Sequence, residues 1–354
     1  MQFATLLLAL LPSVHAINVL WNSPWPTQCG ANFTAPPNAI TRFNVTSNKG
    51  GSFNGAAVST LYNSPDRMTL GLWPCYTANG SAINGGLPQL GDLTAHLAKV
   101  RRDAAALPTS GGAFVIDWEV WTPWLLPSAS SLYFNKSVEL AGGDVGQAIA
   151  DWNASSLHFM VETLRVAREV RPEATWGYFG MVQCTFDVTT EECAPAFTRI
   201  NDALTPLWAA SDALFPEFYA TCPIVPNAPA DVAGAAAAGH RCDSSAKLPL
   251  KIAARLAEAT RVAGSHHQQT ARIIPFTWYA LDDGKCTRRG EHCPLITTAS
   301  DLRTEFLTAA LGAKVDAVIV WGSSADVAST KLCEAFGAYL NSTLGPVLQA
   351  LAAK

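Results

Sequence analysis

Seven short, mostly uninterrupted apolar runs recur along this 354-residue chain and constrain its fold more than any other feature. They cover residues 17–22, 57–62, 113–119, 175–179, 213–219, 272–278 and 316–321. A strand that alternates apolar and polar residues buries one face, whereas a continuous apolar run buries both, as in a parallel sheet covered by helices. Amphipathic helical patterns fill the gaps at 93–106, 146–168, 246–262 and 300–311, and a last one runs over 329–351. Pro108 and Pro172 stop the first two helices. Strands alternating with helices predict an α/β fold, a distorted TIM-like (β/α) barrel of seven to eight units in a single domain. Stretches 36–55 and 122–144 are expected to be long excursions over its mouth.

In such barrels the reactive groups gather at the carboxyl ends of the strands. Here Tyr62, Asp117, Glu119, Phe179, Tyr219, Trp278 and Trp321 all fall at predicted strand ends. Asp117 and Glu119 carry the strongest signal. Side chains at i and i+2 of a strand share a face, about 7 Å apart. Burial and a like charge both raise a carboxyl pKa, so one of two such acids stays protonated and can donate to a leaving group.

The net charge of −4 supplies no basic field for nucleic acid or an anionic membrane. An apolar run from Leu6 to Leu11 followed by Val14-His15-Ala16 reads as a secretory signal peptide over residues 1–16, leaving 17–354 as the catalytic domain. Six N-x-Ser/Thr sequons, at Asn32, Asn44, Asn79, Asn135, Asn153 and Asn341, agree with an extracellular glycoprotein. Nine cysteines without a C-x-x-C pair favour disulfides over zinc, and the odd number leaves at least one thiol free or intermolecular. His266-His267 lies in a polar stretch without flanking ligands, His158 sits on a helix face, and no phosphate loop or nucleophile elbow occurs. No metal or cofactor is implied, and a monomer is expected.

Four motifs are ordered along the chain: Asn84-Gly85-Gly86-Leu87-Pro88-Gln89-Leu90-Gly91, Ile116-Asp117-Trp118-Glu119, Trp176-Gly177-Tyr178 and Ile319-Val320-Trp321-Gly322-Ser323-Ser324. With Val19-Leu20-Trp21-Asn22 near the start and Leu344-Gly345-Pro346 near the end, nearly the whole chain resembles the hyaluronidases of venoms and mammals. The resemblance implies a seven-stranded distorted barrel that hydrolyses hyaluronan, or chondroitin, with retention of configuration. It implies Glu119 as the general acid and base, Asp117 as the group orienting the substrate acetamido, and the substrate's own N-acetyl oxygen as nucleophile. Tyr219 is implied near that acetamido group, and Tyr62, Phe179, Trp321, Trp278 and Trp121 complete the expected lining. It also implies the bridges Cys29–Cys333 and Cys184–Cys193; the remaining five cysteines are extra to the resemblance, and the pairings Cys222–Cys242 and Cys286–Cys293 with Cys75 unpaired are the expectation for them.

Two residues depart from the family pattern. Phe179 stands where a tyrosine is usual, and Thr122 where a venom-type enzyme has arginine. Losing one hydrogen bond to the acetamido group costs about 1–3 kcal/mol, which slows catalysis without abolishing it. Two other readings stay open: a chitinase-type hydrolase, although the usual glycine and aspartate run before the acid is absent, and a glycan-binding homologue that has lost turnover.

Overall fold

The structure, a computed structural model, describes residues 17–353 apart from 37, 129, 188–189, 221–246, 266–270, 282–291, 297 and 304–314. The expected leader, His266-His267, Cys222, Cys242 and Cys286 lie outside the described residues. Nine strands carry the parallel scaffold: β1 (Asn18–Asn22), β2 (Val45–Ser47), β3 (Val58–Ser64), β4 (Ala113–Trp118), β5 (Thr175–Tyr178), β6 (Ala213–Leu214), β7 (Arg272–Ile273), β8 (Phe276–Trp278) and β9 (Ala317–Trp321). Among the described residues, eight α-helices accompany them: α1 (Leu93–Ala105), α2 (Leu132–Leu140), α3 (Val145–Val170), α4 (Pro195–Ala203), α5 (Thr205–Ala210), α6 (Lys247–Ser265), α7 (Thr330–Tyr339) and α8 (Gly345–Ala352).

The strands run β2-β1-β9-β8 in one parallel sheet and β3-β4-β5 in another, with β6 and β7 paired between them. Single parallel bridges, Phe179 with Phe215 and Glu217 with Phe276, join the pieces. No backbone ladder links β2 or β1 to β3 among the described residues, so the pairing is not a continuous closed circuit. Side chains span that gap. Asn48 donates through Nδ2 to the Val58 carbonyl at 2.8 Å and accepts through Oδ1 from the N–H groups of Ala57 and Val58. Thr60 Oγ1 donates to Asn22 Oδ1 at 2.6 Å.

Period-two geometry sorts the apolar runs into two cores. Leu20, Val58, Ala113, Val115, Phe179, Ala213, Phe215, Ile274, Phe276, Ala317 and Ile319 pack together on the inner side. The residues alternating with them, such as Val19, Trp21, Phe114, Ile116, Trp118, Trp176, Val318 and Val320, pack outward with the helices. Gly177 shows how tight the inner layer is: a Cβ there would sit 2.2 Å from the Ala213 carbonyl oxygen and 2.9 Å from the Phe215 ring.

Several segments differ from the expected boundaries. Run 213–219 keeps ladder pairing only over β6, and run 272–278 splits into β7 and β8, because Pro216 and Pro275 have no N–H to donate. Both prolines still accept, from the N–H groups of Phe276 and Ile319. Excursions 36–55 and 122–144 are not plain loops, since they hold β2 and α2. Ser131 caps α2 by accepting from the Phe134 N–H. The last helix is also interrupted, by a π-helical turn over Leu340–Leu344.

Bridges Cys29–Cys333 and Cys184–Cys193 are formed, Cys293 is disulfide-bonded, and Cys75 is a buried free thiol. The first ties the loop after β1 to α7 across 304 residues of sequence. Five of the six sequon asparagines are exposed. Asn153 is half-buried, and its Oδ1 accepts from the Leu125 N–H at 2.8 Å, which makes it the least available of the six.

Candidate active site

The inner-facing series on each strand ends in chemistry. Above Ala113 and Val115 comes Asp117, and above Val58 and Thr60 comes Tyr62, its register partner across β3 and β4. Above Ala317 and Ile319 comes Trp321, paired with Trp278 of β8. Asp117 is buried, whereas Glu119 lies one residue past the end of β4 and is open to solvent at the cleft. Among the described residues, no hydrogen bond or ion pair reaches either carboxylate.

The electrostatics follow from this placement. Burial pushes the Asp117 carboxyl well up, and the Glu119 charge pushes it further. Glu119 is also raised, first by partial desolvation, then by the charge of Glu217. Two acids held this way retain a proton at a pH where a free carboxyl has lost it. Burial first, and then the same negative charges, raise the Tyr62 and Tyr219 hydroxyls, so both tyrosines stay neutral.

The aromatic residues form one wall. Tyr219 stacks on Trp321 with ring centroids 5.7 Å apart, and Trp278 meets both edge-on. Trp321 Nε1 donates to the Tyr62 hydroxyl at 2.6 Å. A trough of about 430 Å³ continues from this wall, lined by Phe53, Asn54, Tyr62, Arg67, Trp321 and Ser323 among others. A second groove of about 530 Å³, between Val161, Arg168, Pro172 and Ala210, lies on the helical exterior. Its arginines are engaged with Glu162, Glu169 and Asp212, and it holds none of the strand-end residues.

Not every expected residue joins the group. Trp121 is buried on the outer side, packed on Trp73, Trp118 and Trp152, with its Nε1 donating to the Pro74 carbonyl. It has no face in the trough. Phe179 is buried against Tyr219 and Phe276. Tyr178 does not replace its missing hydroxyl, because Tyr178 faces outward and donates to the Met160 carbonyl of α3. Thr122 turns its hydroxyl to the Trp124 carbonyl and brings no charge to the cleft.

Two acids at this end escaped the sequence reading. Glu217 belongs to the inner series Ala213, Phe215, Glu217, Tyr219, and that alternation was its available signal. Asp326 is buried at the foot of the aromatic wall. Its Oδ2 accepts from Trp278 Nε1, the Tyr279 hydroxyl and the Ser323 N–H, and its Oδ1 lies 3.1 Å from His292 Nδ1. Nothing in its local sequence distinguishes it from an ordinary helix cap. No cluster with the makings of a metal site occurs among the described residues.

Comparison with known proteins decides the family. The sequence profile of the hyaluronidase family, glycoside hydrolase family 56, matches residues 9–229. This chain belongs to the hyaluronidase family of glycoside hydrolases. A hyaluronidase of Loxosceles intermedia is 31% identical, over 93% of this chain and 78% of that protein. Hyaluronidase-1 of Homo sapiens is 28% identical, over 87% of this chain and 68% of its own length. The crystal structure of bee venom hyaluronidase in complex with a hyaluronic acid tetramer superposes with a TM-score of 0.78 at 26% identity, covering 95% of this chain and 99% of that one. The hyaluronidase-family chain therefore has an α/β fold related to that TIM-barrel-like architecture, and hydrolysis of glycosidic bonds is its family-level activity. Among the described residues, no helix is long and apolar enough to cross a membrane.

Proposed function

We propose that the chain is an extracellular endo-β-N-acetylhexosaminidase that cleaves hyaluronan, and the related chondroitin, with retention of configuration. The observation that carries this reading is the pair of unpartnered, proton-retaining carboxylates Asp117 and Glu119 facing the Tyr62–Tyr219–Trp321 wall. In the first step Glu119 gives its proton to the glycosidic oxygen while the N-acetyl carbonyl oxygen of the same sugar attacks the anomeric carbon. The bond to the leaving sugar breaks, and a cyclic oxazolinium forms. Asp117 steadies the acetamido N–H as positive charge develops there. Glu119, now a carboxylate, takes a proton from water, which opens the ring from the same face and restores the acid. A tethered nucleophile has a large effective molarity, so no second protein carboxylate is needed to attack.

Tyr219 supports the reading as a neutral hydroxyl beside the acids, and Trp321 and Trp278 as apolar walls for the acetamido methyl. The relative solved with a hyaluronic acid tetramer supports the substrate class. The same reading takes the strands as a distorted closed barrel, residues 1–16 as a cleaved leader, 17–354 as one monomeric catalytic domain and the exposed sequons as glycosylated. Release of reducing ends from hyaluronan, chondroitin and chitin oligomers tests it. Cleavage of hyaluronan with β-configured product supports it. Cleavage of chitin alone points to a chitinase-type enzyme, and binding without cleavage to a homologue that has lost turnover. The last outcome has one structural argument, the buried Phe179 ring where a hydroxyl is expected.

A further inference from the structure

Glu217 brings a third negative charge to the rim that holds Asp117 and Glu119. Its neighbours in the inner series, Phe215 and Tyr219, pack in the inner core and on the aromatic wall, and its bridge partner Phe276 is an inner-core residue. Glu217 therefore falls in the inner-facing series, on the side of Asp117, with its carboxylate also within reach of helix α6. Arg255 of α6 stands behind it. That guanidinium donates to the Glu217 backbone carbonyl at 2.6 Å but comes only within 3.9 Å of Oε1. It anchors the main chain more than it neutralises the carboxylate. Among the described residues, Arg67 lines the trough beside Tyr62. Thr122 adds no charge.

We propose that Glu217 is a specificity-determining residue, a charge gate that weakens the hold on a negatively charged sugar beside the Asp117–Glu119 pair relative to an uncharged one. This rests on the hydrolase reading above and refines it by naming the residue that limits how well hyaluronan is used against an uncharged N-acetylhexosamine chain. A uronate carries a carboxylate at neutral pH, so in this cleft it meets like charge. In a partly solvated cleft one unit charge several ångströms away changes an equilibrium by about three- to tenfold, less as salt screens it. Glu217 also favours the protonated form of Glu119, so the gate has a second signature in the pH profile.

The test uses the full chain and the variants Glu217→Gln and Glu217→Asp. Reducing-end release is followed on a hyaluronan oligosaccharide and a chito-oligosaccharide of equal length, at low and high salt and across pH. Glu217→Gln is expected to raise kcat/KM for the hyaluronan oligomer about three- to tenfold at low salt, with the gain fading at high salt. The chito-oligomer rate at the optimum is expected to stay within about twofold, since an uncharged chain feels no such repulsion. For both substrates the alkaline limb is expected to move to lower pH. Glu217→Asp keeps the charge and is expected to follow the parent. An unchanged ratio between the two substrates in Glu217→Gln overturns the gate, and so does a Glu217→Asp variant that matches Gln, because packing would then be the cause. If the parent cleaves neither oligomer, the hydrolase reading falls separately. Binding of the same two oligomers, read by tryptophan fluorescence, then decides the gate: tightening for hyaluronan alone supports it, and an equal change for both overturns it.

Discussion

Glu119 differs from Asp117 by one thing that matters for acid catalysis, which is access. Asp117 is buried and Glu119 is exposed, so in the proposed reaction Glu119 is the group placed to hand a proton to a sugar oxygen. Glu119→Gln is expected to lower turnover by at least about a hundredfold while oligosaccharide binding persists. A variant that binds and still turns over at the parent rate would remove Glu119 from the acid role. The sign of the pH dependence follows from the raised carboxyls. Activity is expected to fall as pH rises through the elevated Glu119 titration, and to fall on the acid side as the coupled pair takes up its second proton. A second residue-scale expectation concerns Phe179, whose ring packs 6.2 Å from Tyr219. Phe179→Tyr is expected to raise kcat/KM on N-acetylated substrates by about 10-fold, the worth of one recovered hydrogen bond. No gain on any N-acetylated substrate would show that the hydroxyl has no partner to meet.

At the level of elements, the gap between β2 and β3 is held by the side chain of Asn48. Its amide group accepts two backbone N–H groups and donates to the carbonyls of Ser52, Phe53 and Val58. Asn48→Ala would leave several of these backbone groups unpaired in a buried place. A loss of about 2–4 kcal/mol is expected, read as a lower denaturant midpoint with unchanged m-value. An unchanged midpoint would mean that water substitutes for the amide. This clasp could not be read from the sequence, because Asn48 lies in a Gly- and Ser-rich stretch that signals only a turn. β2 was equally silent, being three residues with one buried position. The strands that were legible are those whose two faces are both apolar, such as β4, buried at every position. The same rule located Asp117 and Glu119 as interruptions at the end of such a run. It missed Glu217 because Pro216 precedes it and the run there already contains polar and aromatic residues. Trp121 shows the opposite failure: an aromatic near the acids in sequence was expected in the cleft, yet the chain leaves β4 and buries it on the far face.

Across the whole molecule, two sets of buried groups pull stability in opposite directions as pH changes. His96 has no exposed surface; its Nδ1 accepts from the Leu72 N–H, and its Nε2 lies 2.8 Å from Thr163 Oγ1. Thr163 donates onward to the Phe159 carbonyl, so its oxygen receives the Nε2 proton and the ring is held neutral. Burial, the first cause, lowers its pKa from 6.5 to about 4. Between those values the unfolded chain binds the extra proton and the folded one does not. The contribution of His96 is therefore complete above about pH 6.5 and is lost as pH falls toward about 4, by at most about 1.4 kcal/mol per pH unit and about 3 kcal/mol in all. The raised carboxyls behave in reverse. Folding favours their protonated forms, so Asp117 and Glu119 cost stability as pH rises through their elevated titrations. Asp117→Asn is accordingly expected to unfold at a higher temperature than the parent at neutral pH, with the advantage vanishing in acid, while its turnover drops severely. His96→Gln is expected to be less stable than the parent at neutral pH but to lose less on going from pH 7 to pH 5. Denaturant melts of the three proteins at both pH values separate the two effects. If the Asn variant gains nothing at neutral pH, the cleft does not strain its own carboxylates, and the proton held for catalysis has some other origin.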